Sequence, residues 1–222
     1  WQHIAVVAGT NLLRMYLNGS LIATDSQAVN WRPDPAPPQK NLLGRSLFKD
    51  ASNAGSDADF NGQMDEVRIW VGERTAEQIR ENMARKLTGG EPGLVGLWNF
   101  DDPANPGRDS SPGGHHGRLM GQAQVVATDA GTIAPWPVGS VLELAGDGGH
   151  VELPSGIFAG LTEATVEGWV KWSGFGRYSR FFDFGQGGQL MGVYNVENTA
   201  TLAFETSLSN YKIGRASCRE RV

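Results

Sequence analysis

The stretch Phe60–Trp70, FNGQMDEVRIW, decides how this chain is read. Its side chains alternate with the period of two of a half-buried β-strand: Val67 and Ile69 on one face, Glu66, Arg68 and Trp70 on the other. Strict alternation puts Asp65 on the Val67/Ile69 face, the core side. A carboxylate there is costly unless backbone N–H groups, a cation or a β-bulge satisfies it. Asp65 is therefore the leading functional candidate.

Working outward, the flanking segments are also strand-like. Leu13–Leu17 and Ser20–Thr24 are separated by Asn18-Gly19, the strongest short hairpin signal, because a type I′ turn needs positive φ at both centres. Val141–Leu144 and His150–Leu153 flank Asp147-Gly148-Gly149 and read as a second hairpin. Ile4–Val7, Asn41–Gly44, Leu94–Phe100, Leu119–Val126, Thr165–Trp172, Arg180–Phe184 and Leu190–Tyr194 read as further strands, with Thr201–Thr206 the last. One helix is expected after Trp70. Thr75 and Gln78 match a capping box, Ile79, Met83 and Leu87 mark one face, and Gly89-Gly90 provide the stop. Trp31–Lys40 and Thr128–Gly139 are Pro- or Gly-rich connections, and Lys49–Asp59 is a polar loop.

With 30 Gly, 11 Pro and 7 Trp in 222 residues, the composition suits many short strands joined by tight turns, an all-β, antiparallel chain. A net charge of -5 argues against a nucleic-acid groove. No apolar run is long enough to span a bilayer, so membrane insertion is not expected. Ile213–Val222, IGRASCRERV, lacks alternation and resembles translated sequencing-adapter DNA joined to a truncated reading frame. It is expected to lie apart from the fold. Without its three arginines and one glutamate, 19 basic and 24 acidic residues become 16 and 23, a net charge of -7. Cys218, the only cysteine, lies in this tail, so cysteine usage says nothing of redox compartment.

The segments WQHIAVV (1–7), LRMYLNGSLIAT (13–24), NLLGRS (41–46), FNGQMDEVRIW and RTAEQI (74–79) together resemble the C-terminal half of a laminin-G-like jelly-roll domain. That family belongs to the concanavalin A-like lectin/glucanase superfamily. GLVGLWNFDD (93–102), Asp109 with the run SSPGGHHGRLMG that follows it (110–121), VLELAGDGGHVELP (141–154) and TVEGWVKW (165–172) resemble the N-terminal half of such a domain. The resemblance implies an antiparallel jelly-roll β-sandwich with one short helix. It divides the chain into residues 1–90, the latter half of a first domain; 91–212, the earlier part of a second; and the tail, 213–222. Two readings stay open: a piece of a tandem array with two incomplete domains, or one circularly permuted sandwich. A shared sheet for Leu13–Leu17 and Thr165–Lys171 separates them.

Catalysis is not expected. The glucanases of the superfamily use a Glu-x-Asp-x-x-Glu strand, which sets carboxylates on one face. Asp65 and Glu66 are adjacent and point to opposite faces, Glu163 and Glu167 fail the spacing, and Asp183 stands alone between phenylalanines. No nucleophile elbow or phosphate loop appears. His115-His116 lack a third ligand nearby and read as a solvated loop.

Calcium is the candidate cofactor, since hard cations take six to eight oxygens from carboxylates and loop carbonyls. Asp65 with Asp101, Asp102 and Asp109 is the candidate set, and the resemblance, which implies structural calcium between terminal strands, points the same way. The competing reading makes Asp65 and Asp109 acceptors of backbone N–H groups at turns and bulges. Candidate ligand-binding residues are Trp169 and Trp172, on opposite faces of their strand by their spacing, with Arg177 and Tyr178 in the loop GFGRYSR. Trp31 and Trp136 read as plugs in the connections. The resemblance implies a binding or adhesion module of a multidomain extracellular or cell-surface protein, with a glycan or protein ligand and neighbouring domains of the same chain as partners. The alternative is a structural spacer in a surface array; a glycoside hydrolase fragment ranks third.

Overall fold

The structure is a computed structural model. It describes residues 1–10, 12–26, 40–49, 57–128, 139–186, 189–206 and 212–217, with Gln186, Gln189 and 212–217 as backbone only. Trp31, Asp50, Trp136 and Cys218 lie outside the described residues.

Two antiparallel sheets form a sandwich. Residues 1–90 supply β1 (Gln2–Ala8), β2 (Leu13–Leu17), β3 (Ser20–Asp25), β4 (Lys40–Leu43), β5 (Asn61–Val71) and α1 (Ala76–Met83). The remainder supplies β6 (Leu94–Trp98), β7 (Arg118–Met120), β8 (Gln124–Thr128), β9 (Gly139–Ala145), β10 (His150–Leu153), β11 (Ala164–Gly174), β12 (Arg180–Gln186), β13 (Gln189–Asn195), β14 (Thr201–Thr206) and β15 (Lys212–Ser217). The eight-stranded sheet runs β3-β2-β1-β11-β5-β9-β8, with β6 on the far end of β5; the seven-stranded sheet runs β15-β14-β13-β12-β4-β10-β7. Each sheet draws strands from both segments, and β2 shares a sheet with β11 through β1.

The core lies between the sheets. Ile4, Val6, Met15, Met64, Val67, Ile69, Leu142 and Val166 of one sheet meet Leu43, Val151, Phe181, Phe182, Phe184, Val193 and Phe204 of the other. Both faces of the central strands β1, β5 and β11 are covered, because α1 and the chain after it pack on the outer side. There Ile79 meets Ala5, Val7 and Tyr16, and Leu87 meets Trp70 and Leu97.

The Asn18-Gly19 hairpin forms with φ of 49° and 74°, as a type I′ turn requires. The capping box also forms: Thr75 Oγ1 accepts from Gln78 N–H, and Gln78 Oε1 from Thr75 N–H.

Four local expectations are corrected. Asp147-Gly148-Gly149 does not close a hairpin, because β9 lies in one sheet and β10 in the other; the loop arches across the core edge. Leu119–Val126 is two strands in different sheets, broken at Gly121, whose φ is 62°. The helix stops at Met83, so Leu87 is buried from a loop rather than from the helix face. The last strand is not Thr201–Thr206, since the backbone of Lys212–Ser217 pairs with β14 and so docks part of the tail expected to lie apart.

Candidate functional site

The site starts from a phase change in β5. Arg68 pairs with Glu167 and Asp65 with Trp169 on β11, so two residues of β5, Glu66 and Val67, face the single Gly168. This is a β-bulge, and Glu66 takes the left-handed conformation at φ 51°. Gly168 leaves the room: a Cβ there would lie 2.9 Å from Phe181 and 3.3 Å from Val67 Cα. Met64 and Val67 therefore both reach the core. Asp65 leaves it, correcting the expectation that it shares the Val67/Ile69 face, and joins Glu66 and Arg68 on the outer side.

Asp65 is buried there, and its Oδ1 accepts the Glu66 N–H at 2.8 Å. Burial pushes its carboxyl well above the usual carboxylate range, and the neighbouring Glu66 charge pushes the same way. Asp101 and Lys86 lie within electrostatic reach. Lys86 Nζ contacts Asp101 Oδ2 at 2.5 Å, and Asp101 Oδ1 accepts from Ser140 N–H at 3.3 Å. Phe100, beside Asp101, is also left-handed at φ 52°. Both carboxylates thus follow or precede a non-glycine residue in a strained conformation, a pattern that concentrates at ligand sites.

Under α1 the same face carries a buried ionic network. Arg68, fully buried, contacts Glu66 Oε2 at 2.8 Å and Glu167 Oε1 at 3.5 Å, and donates to the carbonyls of Asn82 at 2.7 Å and Arg85 at 2.8 Å. Trp70 Nε1 donates to Glu167 Oε1 at 2.9 Å, and Trp169 Nε1 to the Met83 carbonyl at 2.9 Å. The carbonyls left without partners where a helix ends are taken by side chains from the sheet below, which is why α1 stops early. Burial raises the carboxyls of Glu66 and Glu167. His3, edge-on to Trp169, is held down to about 3 by burial and by Arg68.

The other acidic candidates sit in the loop 101–117. Asp102 accepts from the backbone N–H groups of Ala104 and Asn105 and from the Asn105 amide, closing a turn. Asp109 is buried with every near donor satisfied: Leu97 N–H, Ser111 N–H, Ser111 Oγ–H and His115 N–H. The structure thus puts Asp65 and Asp101 within electrostatic reach of each other, with Lys86 paired to Asp101, and uses Asp102 and Asp109 as backbone anchors. Among the described residues, no three His, Cys, Asp or Glu side chains gather closely enough to hold a metal on their own.

Of the aromatic candidates, Trp169 is buried and pins α1. Trp172 packs on Phe60 and Phe175 with ring centroids 5.4 and 5.8 Å away. Arg177 pairs with Glu197 at 3.1 Å, and the Tyr178 hydroxyl also contacts Glu197. Tyr178 leads to a cluster that sequence spacing missed, and Asp183 does not stand alone. On the outer face of the seven-stranded sheet, Arg180 contacts Asp183 at 3.2 Å, Glu205 at 2.5 Å and Asp57 at 3.7 Å. Its guanidinium lies over the rings of Tyr194 and Phe48, 4.6 and 5.4 Å from their centroids. Phe48 is 47% exposed, and Tyr178 meets Tyr194 edge-on. No local pattern marks this cluster, because β12, β13, β14 and the loop after β4 each contribute to it.

Residues 1–80 match a laminin-G family model described as the concanavalin A-like lectin/glucanases superfamily. No curated protein and no solved structure matches the chain. The match runs from β1 into α1 and contains the bulge, and the two-sheet antiparallel sandwich is the fold of that superfamily. The segment that opens this chain and carries Asp65 is thus similar to a laminin-G domain of the concanavalin A-like superfamily, and the sandwich is consistent with that fold.

Proposed function

We propose that the chain is a non-catalytic binding module of a multidomain extracellular protein, stabilised by calcium at Asp65 and Asp101 and carrying a glycan or protein ligand. The observation that carries the calcium reading is that these carboxylates lie within electrostatic reach of each other beside two left-handed residues, Glu66 and Phe100. The donor set fits a hard cation. Asp65 is a buried carboxyl with one backbone donor, and burial and the Glu66 charge both oppose its ionisation, a cost that a bound cation would offset. Asp65 and Asp101 would hold the ion, with backbone carbonyls completing the shell. Bound there, it would neutralise the pair and tie β5 to the chain leaving β6.

The non-catalytic part rests on the carboxylates. Four carboxylates of the outer faces are locked on shared arginines, Glu66 and Glu167 on Arg68, and Asp183 and Glu205 on Arg180. A hydrolase needs one carboxyl free to give a proton and another facing the sugar. The ligand surface we favour is the rim of Phe48, Tyr178 and Arg177, where exposed aromatic and cationic groups adjoin.

The test is thermal melting in calcium and in chelator. An ion at a hundredfold its Kd stabilises by about 2.7 kcal/mol, which lifts the midpoint of a chain this size by roughly 5–10 °C. An identical midpoint in both buffers overturns the calcium reading. A glycan array probed in calcium then separates a binding module from a spacer, which would bind none.

A further inference from the structure

A cleft of about 640 Å³ opens between the turn 104–108 and the start of β7, lined by residues 104–108 and 116–119. That volume is within the range of small-molecule sites. Two of its lining residues, Gly107 and Gly117, are in backbone contact. Gly117 N–H donates to the Gly107 carbonyl at 2.7 Å, and a Cβ on Gly107 would lie 1.9 Å from Gly117 O.

Its walls carry donors. Arg108 and Arg118 line it, their side chains 57% and 72% exposed. The backbone N–H of Asp109 donates to His116 Nδ1 at 3.1 Å, which leaves the ring proton on Nε2, so the neutral ring is a donor too. Pro106 and Leu119 add apolar surface. The carboxylates nearby do not hold the guanidinium groups firmly. Arg108 meets Asp102 at 3.4 Å, and Asp102 keeps its Ala104 and Asn105 donors without it. Arg118 meets Glu152 at 2.7 Å, an exposed pair of the kind that solvent and salt screen. An incoming oxyanion can therefore take both forks at little cost, and guanidinium groups match oxyanion geometry with two parallel donors each.

We propose that this cleft binds a small organic oxyanion, with its phosphate, sulfate or carboxylate group on Arg108, Arg118 and His116 and its apolar body on Pro106 and Leu119. The site is separate from the calcium and rim readings above and does not rest on them.

The test titrates phenyl phosphate, inorganic phosphate and phenol into the isotope-labelled chain in chelator, read by amide resonances of residues 104–119. Phenyl phosphate is expected to bind saturably, at least tenfold tighter than inorganic phosphate. Phenol is expected not to bind. The double variant Arg108→Gln/Arg118→Gln, altered only at exposed positions, is expected to keep its melting midpoint and lose at least tenfold in affinity. Phenol binding as well as phenyl phosphate, inorganic phosphate binding equally well, or affinity unchanged in the double variant would each overturn the proposal. So would the absence of saturable shifts.

Discussion

Arg180 and Asp183 lie three residues apart on β12, yet their side chains meet at 3.2 Å on one face of the sheet. In a regular strand, residues three apart point to opposite faces. The register slips between Arg180 and Phe182, and Phe181 is the extra residue. Phe181 and Phe182 then both enter the core, and Arg180 and Asp183 both leave it. The bulge at Glu66 does the same for Met64, Asp65, Val67 and Arg68. In β12 the bulge turns two successive phenylalanines inward, in β5 it turns two successive carboxylates outward, and each helps assemble an ionic cluster outside.

Asp183 is fully buried, accepts Leu47 N–H at 2.9 Å on Oδ2, and lies over Gly192, where a Cβ would come within 2.8 Å of Oδ1. Burial pushes its carboxyl up to about 7, against the pull of Arg180. A raised folded-state value means the native state holds a proton that the unfolded chain has lost. Its contribution is fully present below the unfolded value near 3.8 and fades as pH rises to about 7. Asp183→Asn keeps the acceptor and removes the titration. The stability of the parent minus that of the variant is expected to fall between about pH 4 and 7, by at most about 1.4 kcal/mol per pH unit. Urea unfolding of both proteins across that range measures it; a flat difference means the carboxyl titrates normally.

Arg68 holds two carboxylates and two carbonyls at once. Arg68→Met leaves Glu66 and Glu167 buried without their cation and the end of α1 without its donor. The expected loss is about 3–5 kcal/mol. Arg68→Lys should recover little, because one ammonium cannot reach four acceptors spread around a planar fork. Denaturant midpoints of the two variants test this, and a lysine variant as stable as the parent would contradict it.

What could be read in advance was what is encoded locally. Asn18-Gly19 needs only its own two residues to turn, and Thr75 and Gln78 cap each other. The bulges at Glu66 and Phe181 escaped because a period-two reading assumes the phase never changes. The second hairpin failed because Asp147-Gly148-Gly149 carries the same turn chemistry whether the next strand pairs beside β9 or crosses to the opposite sheet. The helix was drawn too long because Arg68 and Trp169, which end it, come from strands on either side in sequence. At Asp65 both a bulge and a backbone N–H form, two of the three ways a carboxylate on this strand can be satisfied, and the same bulge moves it off the face that alternation assigns.

His3 provides a second pH signature of opposite sign. Its ring is buried between Trp169 and Glu167, with Nε2 3.6 Å from Glu167 Oε2, and neither ring nitrogen has a hydrogen-bond partner among the described residues. Its folded value of about 3 lies below the ordinary 6.5, so the unfolded chain takes up the proton first. Stability from this group is full above about 6.5 and is lost as pH falls toward 3. The parent minus His3→Phe is expected to rise with pH through this window, opposite to the Asp183 difference. The same unfolding series reads both, and a His3 difference that falls with pH would show that Glu167 protonates the ring in the native state.

Asp65→Asn separates the two readings of the bulge. The amide oxygen can still accept the Glu66 N–H, so a residue that only anchors the backbone is replaced at no gain. A residue kept charged for a cation is different. In chelator, the substitution removes a carboxyl whose ionisation burial and the Glu66 charge both oppose, and the variant is expected to melt above the parent. In calcium, the parent is expected to gain several degrees and the variant none, so the order of midpoints reverses. Such a reversal is the signature of a site that gives up stability for binding. Asp101→Asn, in the chain leaving β6 and half-exposed, should lose the calcium increment with little change in chelator. Equal midpoints for parent and Asp65→Asn in both buffers would make Asp65 a turn anchor and nothing more.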